Sequence, residues 1–316
     1  MGEEVEAFEE EWAEYCKAKY CVVVSSGTDA LYLAIRCLGI TDVEILTTPF
    51  TFFATTGAIM MSGNIPRFVD VEPDGNIDIG KEPVSYLCAL PVHLYGKPAK
   101  LEKHDQRYVI EDACQAHGLP LRGHLQCFSF YPTKNLGAYG QAGAIVTNIG
   151  ELVEKLRWLR VHGEKERFVH YEVTGNYRMD ELQASILRVK LPHLNKWNQA
   201  RRDVAGLYQE LLGNVGGITL PEDDLYHCYH IYAIRVKNRD SLARFLAENG
   251  IQTAVRYPLP MHLQPALEYL GYKKGDFPVA EEWAETNLSL PMYPELTQEQ
   301  VEYVCSKIKG WVRDKS

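Results

Sequence analysis

The feature that most constrains this fold is a repeated switch between short apolar runs and amphipathic helical stripes. The runs 21–24 and 43–47 have the length and composition of buried strands, whereas 28–38 shows a helical stripe that Gly39 closes. Parallel strands joined by helices form a sheet covered on both faces, with ligands at the carboxyl ends of its strands. The sequence therefore predicts an α/β fold whose mostly parallel sheet is sandwiched by helices.

Further elements follow from the same periodicities. We expect helices at 3–16, 53–62, 98–105, 149–161 and 180–212, the last interrupted by Pro192, and strands at 66–71, 84–90, 107–111, 125–131 and 143–147. After 213–217 we expect a strand at 228–236, a helix at 240–249, a short strand near 253–256 and helices near 279–287 and 297–311. The sequence thus predicts a large domain over 1–212 and a smaller C-terminal α+β domain over 213–316, with a small-molecule cleft between them.

The composition argues against several classes of protein. Lys and Arg total 33 and Asp and Glu total 42, which gives a net charge of −9 without a basic block, so neither a nucleic-acid groove nor a polybasic membrane surface is indicated. No apolar run approaches the roughly 20 residues that span a bilayer, and the N-terminus does not resemble a signal peptide. Eight cysteines without C-x-x-C spacing and ten histidines without metal-ligand spacing indicate reduced thiols and no metal. We expect a cytoplasmic protein.

The segment 25–29, Ser-Ser-Gly-Thr-Asp, links a buried strand to an amphipathic helix. The backbone N–H groups at the start of a helix and the positive end of its dipole together can bind a phosphate. The alternative is that Thr28 or Asp29 only caps the helix. Neither a Walker A nor a G-x-G-x-x-G motif occurs, so the motifs that usually indicate an ATP-binding or dinucleotide-binding site are missing from the sequence.

Two further candidate residues follow strands. Asp112 ends the run 108–112, where its carboxylate can face a heterocycle, and Lys134 comes 22 positions later (134 − 112) among aromatic residues and glycines. In isolation, Asp112 could be a turn residue and Lys134 a solvated surface group. A lysine removed from water loses proton affinity and can form a Schiff base. A helix start that can bind a phosphate, an acid that can face a pyridine nitrogen and such a lysine are together typical of a pyridoxal-phosphate site.

Seven ordered motifs support this interpretation. They are SGTDAL (26–31), TPFTFFAT (48–55), PVHLYG (91–96), IEDACQAHG (110–118), FSFYPTKNLG (128–137), NYRMDELQA (176–184) and YPLPMHLQ (257–264). From Gly2 to about Trp311 the chain resembles the DegT/StrS family of sugar aminotransferases, which have fold type I of the aspartate aminotransferase superfamily. The resemblance implies pyridoxal 5'-phosphate as the cofactor and a homodimer with shared active sites.

The resemblance also implies roles for individual residues. Lys134 would form the Schiff base with the cofactor and move the proton in both half-reactions. Asp112 would keep the pyridine nitrogen protonated, and Gln115 would hydrogen-bond the phenolate oxygen. Phe52 would stack on the ring, although core packing would be the better interpretation without the resemblance. The phosphate would be bound by Gly27, Thr28 and Ser129. Asn176 of the partner subunit would join them.

Four residues are candidates for substrate contacts. His93 and Tyr95 follow a strand, and His93 could face the sugar or be a satisfied polar residue of the sheet rim. Arg178 could pair with a substrate anion or with a neighbouring acidic residue. The loop that carries His262 could reach the cleft or form a surface turn. Packing is the better interpretation for the two histidines at positions 227 and 230.

The sequence departs from the family pattern at three places. Family members usually carry a further segment before the motif that begins here at Gly2, so an N-terminal helix and a loop near the active site are expected to be missing. Gln141-Ala142 stands where an acidic residue and a glycine are usual, which changes a turn and its charge near the cofactor. Thr133 precedes the lysine where a small residue is common.

The resemblance implies a transaminase that moves an amino group from L-glutamate to a keto group of a nucleotide-linked deoxysugar by a ping-pong reaction. The stretch 257–264 favours 3-keto over 4-keto sugars, and an aminocyclitol or another cyclic ketone is an alternative acceptor. A sugar dehydratase is a second possibility, but such relatives replace the Schiff-base lysine with histidine. A non-catalytic or regulatory relative is a third, and the joint presence of Lys134, Asp112 and Gln115 opposes it.

Overall fold

The computed structural model describes residues 1–81, 86–101 and 107–314. In this part of the chain the helices are α1 (Glu3–Tyr15), α2 (Gly27–Cys37), α3 (Phe53–Met61), α4 (Gly150–Leu159), α5 (Glu181–Lys190), α6 (Leu194–Leu212), α7 (Arg239–Glu248), α8 (Pro278–Thr286) and α9 (Gln298–Arg313). The strands are β1 (Tyr20–Val24), β2 (Glu44–Thr47), β3 (Ile65–Phe68), β4 (Cys88–Ala89), β5 (Tyr108–Asp112), β6 (Leu125–Ser129), β7 (Gly143–Thr147), β8 (Glu164–Glu166), β9 (Val169–His170), β10 (Tyr232–Arg235) and β11 (Asn287–Leu290). None of the described helices combines the length and the apolar character that crossing a bilayer requires.

Seven strands form one sheet in the order β1-β7-β6-β5-β4-β2-β3. The pairs from β6 across to β3 are parallel, and β7 is antiparallel to both of its neighbours. Because β5 and β6 run the same way, their carboxyl ends meet at one edge of the sheet, which brings Asp112 and Ser129 to the same side. The prediction of a mostly parallel sheet is confirmed.

Helices cover both faces of this sheet, as β1 illustrates. Cys21 and Val23 belong to one core with residues of α1 and α5, whereas Val22 and Val24 belong to a second core with residues of α2, α3 and α4. Side chains alternate between the two faces along a strand, so a strand buried on both faces must be apolar throughout. The continuous apolar run of β1 therefore follows from burial on both sides.

The C-terminal part of the chain contributes a separate core. Strands β10 and β11 pair antiparallel, and their residues pack with α6, α7 and α9 around Tyr208, Tyr232 and Leu246. The predicted fold class, which includes a smaller α+β unit, is confirmed. Tyr208 precedes the boundary predicted at 213, so the end of α6 packs with elements that follow it. The division into 1–212 and 213–316 stays a prediction.

The helix predicted at 98–105 differs from the structure. Its described part, 98–101, is not helical, and its remainder lies outside the described residues. The backbone N–H of Ala99 donates to Nδ1 of His93 at 3.0 Å instead of to a carbonyl one turn earlier. Helices require bonds from each N–H to the carbonyl four residues before it, and partners from elsewhere in the fold replace those bonds here.

Several strand bounds also differ. The strand predicted at 84–90 is observed as β4, with residues 84 and 85 outside the described part. The strand predicted at 228–236 is the shorter β10, and the one near 253–256 is a single bridge between Ala254 and Ser289. Strands β8, β9 and β11 were not predicted. The interruption at Pro192 is confirmed, because α5 ends at Lys190 and α6 begins at Leu194.

Candidate active site

A cavity of ≈ 440 Å³ lies at the carboxyl ends of the central strands, with walls from the large sheet and from segments after residue 228. Seven of the residues predicted for the site line it together: Gly27, Thr28, Phe52, Asp112, Gln115, Ser129 and Lys134. These residues come from four of the motifs named above, and the parallel strand ends bring them together. The described part of the chain therefore contains one cavity that combines the predicted lysine, acid and helix start.

The start of helix α2 forms one end of this cavity. Ser26 is its N-cap: Oγ accepts a hydrogen bond from the backbone N–H of Asp29 at 3.1 Å and donates to the Asp29 carboxylate at 2.7 Å. Ser26, not Thr28 or Asp29, is thus the capping residue. The first N–H groups of α2 have no partner within the helix, and they are available to an anion.

Gly27 is required at this position by close packing. A Cβ atom on Gly27 would lie 2.6 Å from Cβ of Ser129 and 2.9 Å from Sγ of Cys114. Atoms do not approach so closely without displacement of one side. The absence of a side chain therefore lets the start of α2 lie directly against the end of β6, so that the hydroxyl of Ser129 lies beside the helix start.

Asp112 is buried at the end of β5, with 6% of its surface exposed. Oγ1 of Thr55 donates a hydrogen bond to Oδ2 at 2.8 Å, and the backbone N–H of Cys114 donates to Oδ1 at 3.1 Å. A buried carboxylate needs such donors to remain charged. The two donors fix the orientation of the carboxylate within the cavity wall.

Lys134 lies in the loop that follows β6 and is partly buried. Burial is the main reason that its pKa lies below the usual value; Cys114 and Asp112 act in the opposite direction, and the positive charge of Arg256 lowers the pKa further. A lower pKa raises the fraction of uncharged amine at neutral pH, and only the uncharged amine is a nucleophile. Lys134 therefore has the protonation behaviour that a Schiff-base lysine needs.

Gln115 connects the cavity to the segment around Tyr257. Its Oε1 accepts from the backbone N–H of Tyr95 at 2.8 Å, and its Nε2 donates to the hydroxyl of Tyr257 at 2.9 Å. Tyr95 has φ of +59°, in the left-handed region that few residues with side chains adopt. Its hydroxyl donates to the carbonyl of Arg256. Tyr95 thus lies behind the wall of the cavity and is not one of its lining residues.

His93 and His262 lie outside the cavity lining. His93 is fully buried, with Nε2 at 2.9 Å from Oε2 of Glu111 and Nδ1 bonded to a backbone N–H, so the structure favours its sheet-rim role. Burial alone would raise the pKa of Glu111, but the contact with His93 and two backbone N–H groups hold it below the usual value. His262 is buried, with Nε2 at 3.0 Å from Oε1 of Glu281.

Asn176 and Arg178 are exposed and are not among the residues that line the cavity of their own chain. Oδ1 of Asn176 accepts a hydrogen bond from Nε of Arg178 at 2.9 Å. The neighbouring Glu181 is engaged elsewhere, because its carboxylate accepts from the backbone N–H groups of Gly2 and Glu4 at the start of α1. Arg178 therefore has Asn176 as its partner, in place of the acidic neighbour considered from the sequence.

Sequence reasoning missed several lining residues, among them Thr55, His230, Arg256 and Tyr257. Thr55 and Tyr257 lie inside motifs that were singled out, so their motif membership was an available signal. His230 was interpreted as a packing residue, whereas it lines the cavity and its Nδ1 lies 3.3 Å from Oδ1 of Asn135. In the sequence, His230 falls within the predicted strand 228–236, and this position gives no signal that its side chain lines a cavity.

The polar groups of the cavity match the chemical parts of pyridoxal phosphate. A helix start beside a serine hydroxyl suits a phosphate, a fixed buried carboxylate suits a protonated ring nitrogen, and an amine with a lowered pKa suits an aldehyde. Among the described residues, no group of three or more His, Cys, Asp or Glu side chains is arranged to hold a metal ion. The fold and this cavity are those of a pyridoxal-phosphate-dependent enzyme.

Comparison with known sequences identifies the family. The sequence model of the DegT/DnrJ/EryC1/StrS aminotransferase family matches residues 1–309, so the chain belongs to this family. A relative from Geobacillus stearothermophilus named "pleiotropic regulatory protein" is 44% identical, over 99% of this chain and 90% of its own length. The dTDP-3-amino-3,4,6-trideoxy-α-D-glucose transaminase of Streptomyces venezuelae is 38% identical, over 98% of this chain and 88% of its own length.

Solved structures agree with the fold. The crystal structure of S. venezuelae DesV in complex with a ketimine intermediate has a TM-score of 0.93 and 37% identity, and the match covers 99% of this chain and 90% of that one. The structure of ntda from Bacillus subtilis with bound pyridoxamine phosphate has a TM-score of 0.88 and 32% identity, and the match covers 99% and 78%. The cofactor of the family, and of this chain, is pyridoxal phosphate.

Proposed function

We propose that this protein transfers an amino group from L-glutamate to the 3-keto group of a nucleotide-linked deoxysugar. The observation that carries this proposal is the single cavity lined by both Lys134 and Asp112. Names of relatives support the position: besides the Streptomyces transaminase, a 40% identical Aneurinibacillus thermoaerophilus relative is named dTDP-3-amino-3,6-dideoxy-α-D-galactopyranose transaminase. An Acidithiobacillus ferrooxidans relative, 39% identical, is named for a 3-dehydro sugar linked to UDP.

The cofactor would be held by groups at opposite ends of the cavity. Pyridoxal phosphate supplies an aldehyde that condenses with primary amines and a ring that accepts electrons. The N–H groups of Gly27 and Thr28 and the hydroxyl of Ser129 would bind its phosphate. The carboxylate of Asp112, fixed by Thr55, would accept a hydrogen bond from the ring nitrogen and so keep that nitrogen protonated. Phe52 would stack on the face of the ring, and Gln115 would hydrogen-bond its phenolate oxygen.

Lys134 would move protons during the transfer. Burial keeps a larger part of its amine uncharged than in water, so Nζ can take a proton from the substrate carbon that carries the amino group. The same atom can return that proton to the neighbouring carbon of the bound cofactor. A single residue would thus serve both half-reactions of the ping-pong sequence.

The acceptor is tested directly with a panel of substrates. The purified holoprotein is incubated with L-glutamate and, separately, with 3-keto and 4-keto forms of dTDP- and UDP-linked deoxysugars. We expect amination of a 3-keto sugar, at least about tenfold faster than of its 4-keto isomer, with the product identified by mass spectrometry and NMR. A product from 4-keto sugars alone would reject the position, and no product from any keto sugar would reject the acceptor class.

A regulatory role is a second candidate function, because the names of two relatives describe regulatory or sensory proteins. Besides the Geobacillus relative, a 44% identical relative from Saccharopolyspora erythraea is named a sensory transduction protein. A regulator without catalysis has no need for a buried acid and a lysine with a lowered pKa in one cavity. A yellow protein that loses its colour on addition of glutamate supports catalysis, whereas a colourless protein that ignores added pyridoxal phosphate supports regulation. A dehydratase is disfavoured by the presence of Lys134.

We also propose that the protein is a homodimer whose partner subunit completes each site. Exposed apolar side chains around β9 support this: Phe168 is 78%, Tyr171 57% and Val173 94% exposed. Apolar surface of this kind is typical of an interface. Asn176 follows three residues later and is also exposed, so a partner on this surface would meet it. Asn176 of the partner subunit would join the phosphate site.

Shared sites predict complementation between inactive subunits. We expect Lys134→Ala and Asn176→Ala chains to be weakly active alone, and a refolded equal mixture to regain about one quarter of wild-type activity. Half of the dimers in such a mixture are hybrids, and each hybrid has one intact site of two. Sedimentation would check the mass of the dimer. A monomer, or a mixture no more active than its components, would contradict the proposal.

The place of action is proposed to be the cytoplasm. The eight cysteines are free thiols, and seven of them are buried, an arrangement that suits a reducing compartment. Fractionation of cells that express the chain, followed by immunoblotting, would check this. Recovery in an exported fraction would contradict it.

A further inference from the structure

Arg256 lines the cavity that holds Lys134, and none of the roles proposed above uses its side chain. Among the described lining residues it is the only arginine, and Asp112 is the only carboxylate. Asp112 accepts hydrogen bonds from Thr55 and from the N–H of Cys114, and its remaining capacity is assigned above to the cofactor ring. Arg256 is an exposed residue, and the described lining of the cavity offers its guanidinium no other carboxylate.

Three other arginines of this chain illustrate the usual pairing with a carboxylate. Arg36, Arg160 and Arg188 each contact a carboxylate within 3.0 Å. By contrast, the contacts within the described part of the chain include no hydrogen bond, ion pair or ring contact made by the guanidinium of Arg256. A planar guanidinium can bind both oxygens of a carboxylate at once. An unpaired guanidinium beside Lys134 is therefore suited to an anionic group that a ligand brings.

The backbone of Arg256 is held in place from both sides. Its N–H donates to Oδ1 of Asn287 at 2.8 Å, and its carbonyl accepts from the hydroxyl of Tyr95. The next residue, Tyr257, accepts from Nε2 of Gln115 at 2.9 Å. These bonds anchor the segment to the wall of the cofactor cavity, so little backbone freedom is lost when a ligand is bound there.

Arg256 also lines the same cavity as Lys134, the residue proposed to perform the transfer. Burial lowers the pKa values of Lys134 and His230, and the positive charge of Arg256 lowers them further; burial raises the pKa of Tyr257, and Arg256 opposes that rise. The carboxylate of an α-amino acid is one bond from the carbon that loses its proton. The pyrophosphate of a nucleotide sugar is several bonds from a keto group at position 3. A cation near Lys134 therefore favours the carboxylate of the donor.

We propose that Arg256 is the carboxylate receptor for the amino donor and that Tyr95 is its positioning residue. This inference rests on the proposed aminotransferase function. L-Glutamate would bind with one carboxylate on the guanidinium, which orients its amino group and its α-carbon toward Lys134. Arg256 would then determine the affinity for the donor, whereas the nucleotide would be bound elsewhere.

Binding of a non-reacting dicarboxylate tests this proposal. Glutarate has the carboxylates of glutamate but no amino group, and its titration into the holoprotein is followed by calorimetry. We expect Arg256→Gln to weaken glutarate binding about ten- to hundredfold, as loss of a charged hydrogen-bonding partner does, and Arg256→Lys to weaken it less. We expect Tyr95→Phe to weaken it about twofold to fivefold.

Two comparisons make the test specific. Arg244→Gln serves as the matched control, because Arg244 is exposed on α7 and lies outside the cavity lining, and we expect it to leave glutarate binding unchanged. Thymidine 5'-diphosphate serves as the second probe, and we expect Arg256→Gln to change its affinity by less than about twofold. In kinetics, Arg256→Gln should raise KM for glutamate and leave KM for the keto sugar unchanged.

The proposal is overturned if wild-type holoprotein binds no glutarate, or if Arg256→Gln binds it as tightly as wild type. Loss of thymidine diphosphate binding with unchanged glutarate binding would assign Arg256 to the nucleotide instead. The titration involves no amino transfer, so its outcome is separate from that of the substrate panel. Failure of every keto sugar would reject the proposed function, whereas normal turnover of Arg256→Gln at low glutamate would reject this inference alone.

Discussion

Lys134→Ala is expected to lower kcat by at least about 10³-fold, because it removes the amine that transfers the proton between substrate and cofactor carbons. The change leaves the cavity wall otherwise intact, since the backbone N–H of Lys134 still donates to the carbonyl of Tyr131 at 2.8 Å. The folded protein should therefore still bind pyridoxal phosphate through the groups that hold its phosphate and its ring. Turnover is measured with glutamate and the best keto sugar of the panel.

Lys155→Ala is the control for loss of a lysine. Lys155 is partly buried and pairs with Glu172 at 3.5 Å, and it lies outside the cavity lining. A partly exposed ion pair of this kind contributes at most about 1 kcal/mol to stability, so turnover should remain near wild type. A Lys134→Ala protein that keeps a tenth or more of the wild-type kcat would refute the role assigned to this lysine.

Asp112→Asn is expected to lower kcat by about 10²- to 10³-fold, the usual cost of removing one well-placed electrostatic group from an active site. The amide has nearly the volume of the carboxylate and can still accept the hydrogen bond from Thr55, but it has no charge to keep a ring nitrogen protonated. The expected signature is a loss of kcat with little change in thermal unfolding. Circular dichroism and steady-state kinetics would measure both.

Two threonines of α3 provide a graded comparison for Asp112. Thr55→Val removes the donor to Oδ2, at 2.8 Å, and should lower kcat by about tenfold through a less well oriented carboxylate. Thr56 is equally buried, but its hydroxyl has no partner among the described residues, so Thr56→Val should leave kcat unchanged and not reduce stability. Equal effects of the two changes would contradict the role of Thr55.

The sheet could be predicted because its strands are buried on both faces and therefore read as continuous apolar runs, as in β1. The same logic placed Asp112 at a strand end, where parallel strands bring residues together, whereas Lys134 was recognised from its setting and Ser129 from the family resemblance. The helix predicted at 98–105 was wrong in its described part, because bonds from distant residues engage the backbone there. Periodicity reports burial, and it does not report such distant partners.

The less predictable part of the site is the wall contributed by residues far along the chain. Gln115 bonds to Tyr257, 142 positions later, and Tyr95 bonds to Arg256, 161 positions later. A motif can indicate that such residues matter, but the direction of a side chain depends on tertiary contacts and on φ values such as +59° at Tyr95. For this reason His93 and Tyr95 were considered as candidates for substrate contacts, whereas Arg256 and His230 line the cavity.

The central claim is that the amine at position 134 and the carboxylate at position 112 serve one cofactor. Reduction of the yellow holoprotein with borohydride, followed by proteolysis and mass spectrometry, tests it most directly, because it attaches the cofactor covalently to the lysine that holds it. We expect the modification on Lys134 in wild type and no modified lysine in Lys134→Ala. A modification on another lysine, or none in wild type, would contradict the claim.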